Sequence, residues 1–456
     1  MKTILLSILL LIGSLSADLV DDGVISYNNG NKVQAHKLWK KACDSGIKKG
    51  CLNVGLMYLN GDGVKEDISK ALKVFVPFCD SGNLDACNNL GTMYEDGNGI
   101  GQDKEKAITY YSKSCDGGYS LGCFNLGAMY AKKNESMQDK QRASVFYKKA
   151  CDGGNLDGCL NLGEMYDSGY GVKQDKKVAI TLYSKACDGG SKGGCNNLGL
   201  MYLSGDGVKK DNKKAFDIFT KLCNDGIPEG CSNLGTLYDN AQGVRLNKQK
   251  AYTLYSKACE GGYSIGCTNV GLMHLSGDSI KQDYAKAFDI FSKLCSAGDA
   301  KGCGTLGTLY DKGNGIGQDK LKALTLYSRA CDRGHTLSCT NVGSKYFRGD
   351  GVEINKQKSL NYFGKACYGG NSEGCLNLGV MYYKGIGTGQ DKQKALTLYE
   401  KACDGGYLSV CNNVGAMYAN GVTGIQDKQK ALTYFAKSCD GGDSNGCKNY
   451  KQLKSN

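Results

Sequence analysis

Twenty-four cysteines dominate the chemistry open to this 456-residue chain. One set is Cys43, Cys79, Cys115, Cys151, Cys187, Cys223, Cys259, Cys295, Cys331, Cys367, Cys403 and Cys439, each 36 residues after the last. Eight positions after each comes a second: Cys51, Cys87, Cys123, Cys159, Cys195, Cys231, Cys267, Cys303, Cys339, Cys375, Cys411 and Cys447. An even number of cysteines at fixed spacing reads as a disulfide framework in an exported chain. Zinc would need four ligands at short spacing or histidines nearby, and the only histidines are His36, His274 and His335. No Cys-x-x-Cys redox motif occurs. No metal or other cofactor is therefore expected.

Two local pairings compete. Joining Cys51 to Cys79 across a helix pair, and so on along the chain, orphans Cys43 and Cys447. Joining each cysteine to the one eight residues on orphans none, and needs only that a turn bring two Cα atoms within about 7 Å. The expectation is Cys43–Cys51 through Cys439–Cys447.

Nucleophilic chemistry has one faint candidate, Ser45-x-x-Lys48, inside the first cysteine loop. A serine nucleophile of that type also needs Ser-Asp-Asn and Lys-Thr-Gly elements, and neither is present. No catalytic residue is assigned.

A binding column is better marked. Two residues after the second cysteine stands an amide, at Asn53, Asn89, Asn125, Asn161, Asn197, Asn233, Asn269, Asn341, Asn377, Asn413 and Asn449, with Thr305 as the one departure. An amide both donates and accepts, so such a ladder suits an extended peptide backbone; bonding a neighbouring repeat would satisfy it equally well.

These residues must be carried by two helices per repeat. Leu162, Met165 and Tyr166 follow helical i, i+3, i+4 spacing in a first helix that begins near Cys159. A glycine-rich loop such as Gly205-Asp206-Gly207-Val208 follows it. The second helix starts after a fixed Asp or Asn (Asp67, Asp103, Asp139, Asp175, Asp211, Asn247 and onward), the types that cap a first turn. The turn Asp188-Gly189-Gly190 ends it, through glycine in the left-handed region. A glycine column (Gly91, Gly163, Gly271 and others) inside the first helix costs roughly 1 kcal/mol each and implies close approach of a neighbouring helix. His274, replacing a recurrent tyrosine, reads as packing. The fold class is all-α, an α-solenoid of about twelve stacked helix pairs.

Lys2, the apolar run Ile4–Ile12 and small residues at 14–17 predict a signal peptide over 1–17, giving a secreted product, extracellular or periplasmic. One solenoid is expected over 18–456, with an N-terminal cap at 18–42, repeats at 43–447 and a C-terminal cap at 448–456. No other long apolar run predicts a membrane anchor in the mature chain. The net charge of +12 recurs largely as one cation two residues before the first cysteine, near a helix C-terminus, which reads as solvated surface. No basic cluster with interleaved aromatics predicts nucleic-acid binding.

Asn-Leu-Gly-x-Met-Tyr, Gly-x-Gly-Val and Asp-x-x-Lys-Ala-x-x-x-Tyr-x-Lys-Ala resemble the Sel-one-like repeat, a relative of the tetratricopeptide repeat. With Cys-x7-Cys at 36-residue spacing, the chain resembles the Helicobacter cysteine-rich protein family over nearly all its mature length. The resemblance implies a right-handed superhelix of disulfide-linked helix pairs, secretion, and an asparagine column directed at a peptide in the concave groove, which would belong to a host or envelope protein. It also implies the alternative of a penicillin-binding protein or β-lactamase, with β-lactams or peptidoglycan fragments as ligands.

Overall fold

A computed structural model describes residues 19–97, 100–132, 136–278, 280–424 and 426–455. The signal peptide expected at 1–17 lies outside the described residues. Those residues form helices and connecting turns throughout, in two compact units that divide at Phe219/Thr220.

One repeat of the first unit shows how the sequence builds the fold. The first helix runs Leu156–Ser168, three residues earlier than Cys159, because Asn155 accepts the Gly158 N–H at 2.7 Å and caps it there. Gly169, at φ 76°, stops it. Asp175 then caps the second helix, Lys176–Asp188, accepting from Lys177 and Val178. That helix buries Ala179, Tyr183 and Ala186 on one face. The Asp-Gly-Gly turn departs from expectation in one detail. Gly189 keeps right-handed backbone, and only Gly190, at φ 97°, adopts the left-handed conformation that favours glycine. A second correction concerns Asp139. The helix Met137–Asp152 starts earlier there, capped by Ser136, whose Oγ accepts the Asp139 N–H at 3.1 Å; Asp139 sits inside the first turn.

The glycine column is explained by packing. A Cβ on Gly163 would lie 2.7 Å from the Tyr183 ring, and one on Gly271 would lie 2.7 Å from Phe291. The aromatic of each second helix thus rests directly on the backbone of its own first helix. His274 is buried in the tyrosine column, edge-on to Tyr252, with Nε2 3.3 Å from its hydroxyl.

All twelve disulfides join cysteines eight apart, with Cα–Cα distances of 4.4 to 5.0 Å. Each closes the corner between a second helix and the next first helix. No cysteine is free. The cation column does more than face solvent. Lys113, Lys149, Lys365 and Lys437 each bridge to an aspartate 33 residues earlier (Asp80, Asp116, Asp332 and Asp404). Lys185 and Lys257 donate instead to the carbonyls of Cys151 and Cys223, at 2.9 and 3.0 Å. Both arrangements tie a repeat to its predecessor beside a helix C-terminus, where a cation is favoured.

At the N-terminus a helix over 19–28 packs on Lys32–Asp44, fixed by the Trp39 Nε1–H donating to the Val20 carbonyl at 3.0 Å. At the other end Ser444–Ser455 forms a single helix.

Candidate ligand-binding groove

The asparagine column lies on the first helices, and its members differ in what they do. Asn125 Nδ2 donates to Asn88 Oδ1 of the preceding first helix at 2.9 Å, and Asn449 donates to Asn412 in the same way. Asn197 Nδ2 donates to Glu164 Oε1 at 3.3 Å. Asn161 meets the Tyr147 hydroxyl, and Asn233 is partnered as well. Within the described residues no hydrogen bond engages the side chains of Asn53, Asn89, Asn269, Asn341, Asn377 and Asn413. All six are at least partly exposed. Part of the column therefore braces the stack, and part stands open.

A second set of residues on the same first helices is not marked by the 36-residue frame. Three and six residues after the asparagine position, which Thr305 fills in the last case, come Thr92/Glu95, Glu164/Asp167, Thr236/Asp239 and Thr308/Asp311, in alternate repeats. Three intervening repeats put leucine pairs at the same places, Leu56/Leu59, Leu200/Leu203 and Leu272/Leu275, a fourth puts Ala128/Ala131 there, and the alternation ends after Asp311. Leu200 and Leu272 are each 40% exposed. Comparing columns at 72 residues, twice the cysteine period, is the signal that finds this alternation.

Three of the four polar repeats share one local network. Tyr111, Tyr255 and Tyr327 hydroxyls reach Thr92, Thr236 and Thr308 within 3.0–3.2 Å. Burial pushes the Tyr255 and Tyr327 hydroxyls up to about 12, so both stay protonated donors at neutral pH. Tyr111 also donates to Glu95 at 2.9 Å, and Tyr255 approaches Asp239 at 3.5 Å.

The four acids of this column end up differently. Glu95 meets Lys132, Asp167 meets Lys176, and Asp311 meets Lys345. Asp239 has no cation within ion-pairing distance among the described residues. It borders a cavity of about 440 Å³ lined also by Tyr255, Asn269, Leu272 and Leu275. The cavity's Lys248 is ion-paired to Asp278. A second cavity, of about 280 Å³, holds Tyr147, Asn161, Glu164 and Tyr170. There burial holds the Glu164 carboxyl above the usual range, against the hydrogen bond from Asn197.

The serine candidate finds no partner for catalysis. Ser45 Oγ donates to the Lys41 carbonyl at 3.0 Å, at the end of its helix, and Lys48 is exposed on the next helix. The histidines stand apart, on three different helix pairs, and no group of three metal-binding side chains forms among the described residues. No helix among the described residues is long and apolar enough to cross a membrane.

The Sel1 repeat model matches the chain at residues 23–47 and 48–73, then in ten further segments from 84–119 to 409–443. The first match overlaps the segment expected as an N-terminal cap at 18–42 and extends into the first cysteine loop. Among curated proteins, "Putative beta-lactamase HcpC" of Helicobacter pylori strain J99 is 40% identical over 53 residues, 12% of this chain and 18% of that protein. "Putative beta-lactamase HcpE" of the same strain is 40% identical over 45 residues, 10% of this chain and 13% of that protein. The chain thus spans less than a fifth of the length of either relative. Among solved structures, c5321, a protective antigen of uropathogenic Escherichia coli displaying an SLR fold, is 28% identical. It matches over 92% of this chain and 90% of its own, with a TM-score of 0.55.

Proposed function

Because the chain belongs to the Sel1 repeat family, we propose that it is an exported binding scaffold that holds an extended segment of a host or envelope protein along its first-helix face. The carrying observation is Asn269: a partly exposed amide without a protein partner, on the wall of a 440 Å³ cavity that also holds Asp239, Tyr255, the Lys248–Asp278 ion pair and the leucines Leu272 and Leu275. A cavity of that size, where polar groups converge beside apolar ones, suits a ligand side chain. The neighbouring open amide is the group an extended backbone needs, since it offers both a donor and an acceptor. Asn53, Asn89, Asn341, Asn377 and Asn413 extend the same capacity to other repeats.

Twelve disulfides and a predicted leader support export, because such bonds persist outside reducing compartments. The description of c5321 as a protective antigen is in keeping with an exported scaffold. The two Helicobacter proteins named putative β-lactamases match this chain only over short stretches, and Ser45 lacks the base that lactam hydrolysis requires.

The test is a panel of Asn→Ala changes at 89, 269, 341 and 377 in oxidised protein, each assayed for capture of peptides selected on the wild type. Loss of capture with unchanged circular dichroism supports the reading; capture indifferent to all four changes defeats it. Hydrolysis of a chromogenic cephalosporin that tracks the pure protein would defeat it from the other side.

A further inference from the structure

Resting on the groove reading, we infer that the cavity between the first helices Pro228–Asp239 and Ser264–Ser276 takes a cationic side chain of an extended peptide, with an apolar side chain of the same peptide on Leu272 and Leu275. Charge complementarity chooses this occupant. Asp239 presents a carboxylate without a cation, while Lys248, the one positive group on the cavity wall, is already committed to Asp278. The Tyr255 hydroxyl beside Asp239 is a neutral donor and leaves the negative charge in place. Arginine or lysine placed there forms a charge-assisted bond, among the stronger of hydrogen bonds.

The apolar half follows from the alternation. Leu272 is 40% exposed and shares the cavity wall with Leu275, so an aliphatic or aromatic side chain on them removes surface that water now covers. Asn269 stands on the same helix one turn before Leu272, where its amide can bond the backbone between the two anchors. The two first helices touch, and packed helices lie about 8–10 Å apart. An extended chain advances about 3.3 Å per residue, so the cationic and apolar positions fall roughly three residues apart.

The first unit repeats the design. Glu164 and Asp167 on Leu156–Ser168 are followed by Asn197, Leu200 and Leu203 on Lys192–Ser204. There Lys176 pairs with Asp167 and Asn197 holds Glu164, so the amide is already engaged and the site is the weaker of the two.

A random-peptide display library selected on the oxidised full chain tests the assignment. Enriched peptides should pair Arg or Lys with Leu, Ile or Phe about three residues away. In anisotropy titrations of one such peptide, Asp239→Asn should weaken binding about tenfold and Leu272→Ala several-fold. Asp239→Lys should reject the peptide and accept its Arg→Glu counterpart. Acidic or neutral winners that lose binding on Asn269→Ala but not on Asp239→Asn would overturn the cationic assignment while leaving the groove in place. An empty selection, or winners indifferent to all these changes, would overturn both.

Discussion

Two junctions of the second unit begin with the same acid and diverge. Asp239 and Asp311 occupy the same column, each near a buried tyrosine and a threonine. Beside Asp239 the next first helix keeps the usual core methionine, Met273, and the carboxylate stays open to the cavity. Beside Asp311 that methionine is replaced by Lys345, only 4% exposed, whose ammonium bonds Asp311 and also Asp350 at 2.9 Å. Lys320 joins on Asp350, and these two lysines hold the Asp350 carboxyl below its ordinary value, Lys320 contributing most. The amide column does not separate them, since Asn269 and its counterpart Asn341 both stand open; on the acid-bearing helices Thr305 takes the place of the partnered Asn233. One junction has satisfied its carboxylate internally, and the other leaves its carboxylate without a cation.

The comparison can be broken most forcefully at Lys345. Lys345→Ala removes a buried stem and the counter-ion together, so a loss of about 2–4 kcal/mol is expected in urea unfolding. Lys345→Met restores the residue that Met273 represents and should cost under about 1 kcal/mol, since Asp311 and Asp350 keep side-chain exposures of 27% and 34% and can rehydrate. It should also open the Asp311 groove to cationic peptide. Equal large losses for both variants would mean that the ion network, not the packing of the stem, holds this junction.

Disulfide removal should not distinguish the junctions. Replacing Cys259 and Cys267, or Cys331 and Cys339, by alanine opens loops of the same length, and each pair should lose about 2–3 kcal/mol on the chain-entropy model. A markedly larger loss at one of them would show that its staple holds something beyond the loop. Gly271→Ala is next in size. Its new methyl meets the Phe291 ring at 2.7 Å, an overpacking cost of about 1–3 kcal/mol that outweighs the roughly 1 kcal/mol gained in helix propensity.

The smallest effect is on pH. The loop 331–339 carries His335, half-buried, with Nδ1 2.7 Å from Ser338 Oγ; burial first, then Lys301, lowers its pKa below the ordinary 6.5. The loop 259–267 has Tyr263 at that place, and its pKa is raised by burial. Below pH 6.5 the unfolded chain takes up a proton that folded His335 refuses, so stability falls with pH until the lowered value is passed. Hydrogen exchange followed by mass spectrometry, corrected for intrinsic rate, should show protection around 331–339 falling between pH 7.5 and 5.5. Protection around 259–267 should hold, and His335→Gln should abolish the difference.

Much of this architecture was legible in the amino-acid order because the constraints are local. Eight-residue cysteine loops, capping acids and the glycine–aromatic contact each act within one repeat, so one spacing exposes them all. The asparagine column was legible as a column but not in its division. Whether Asn125 braces a neighbour or Asn269 stands free depends on the residue the adjacent helix presents, Asn88 in one case and a cavity in the other. The alternation of acid and leucine was present in the sequence at twice the period that the cysteines make conspicuous. Lys345 shows the remaining limit: an isolated lysine in a core column has no pattern, and only its approach to Asp311 and Asp350 gives it a purpose.

The most direct test places a photo-crosslinking amino acid at Leu272, on the groove, and separately at Leu321, exposed on the second helix Lys320–Asp332. Both proteins are irradiated with a selected peptide in the oxidised state. Crosslinking at 272 that unlabelled peptide and Asn269→Ala both abolish, with none at 321, is the predicted result. Equal labelling at the two positions, or labelling at 321 alone, would contradict a ligand held on the first-helix face.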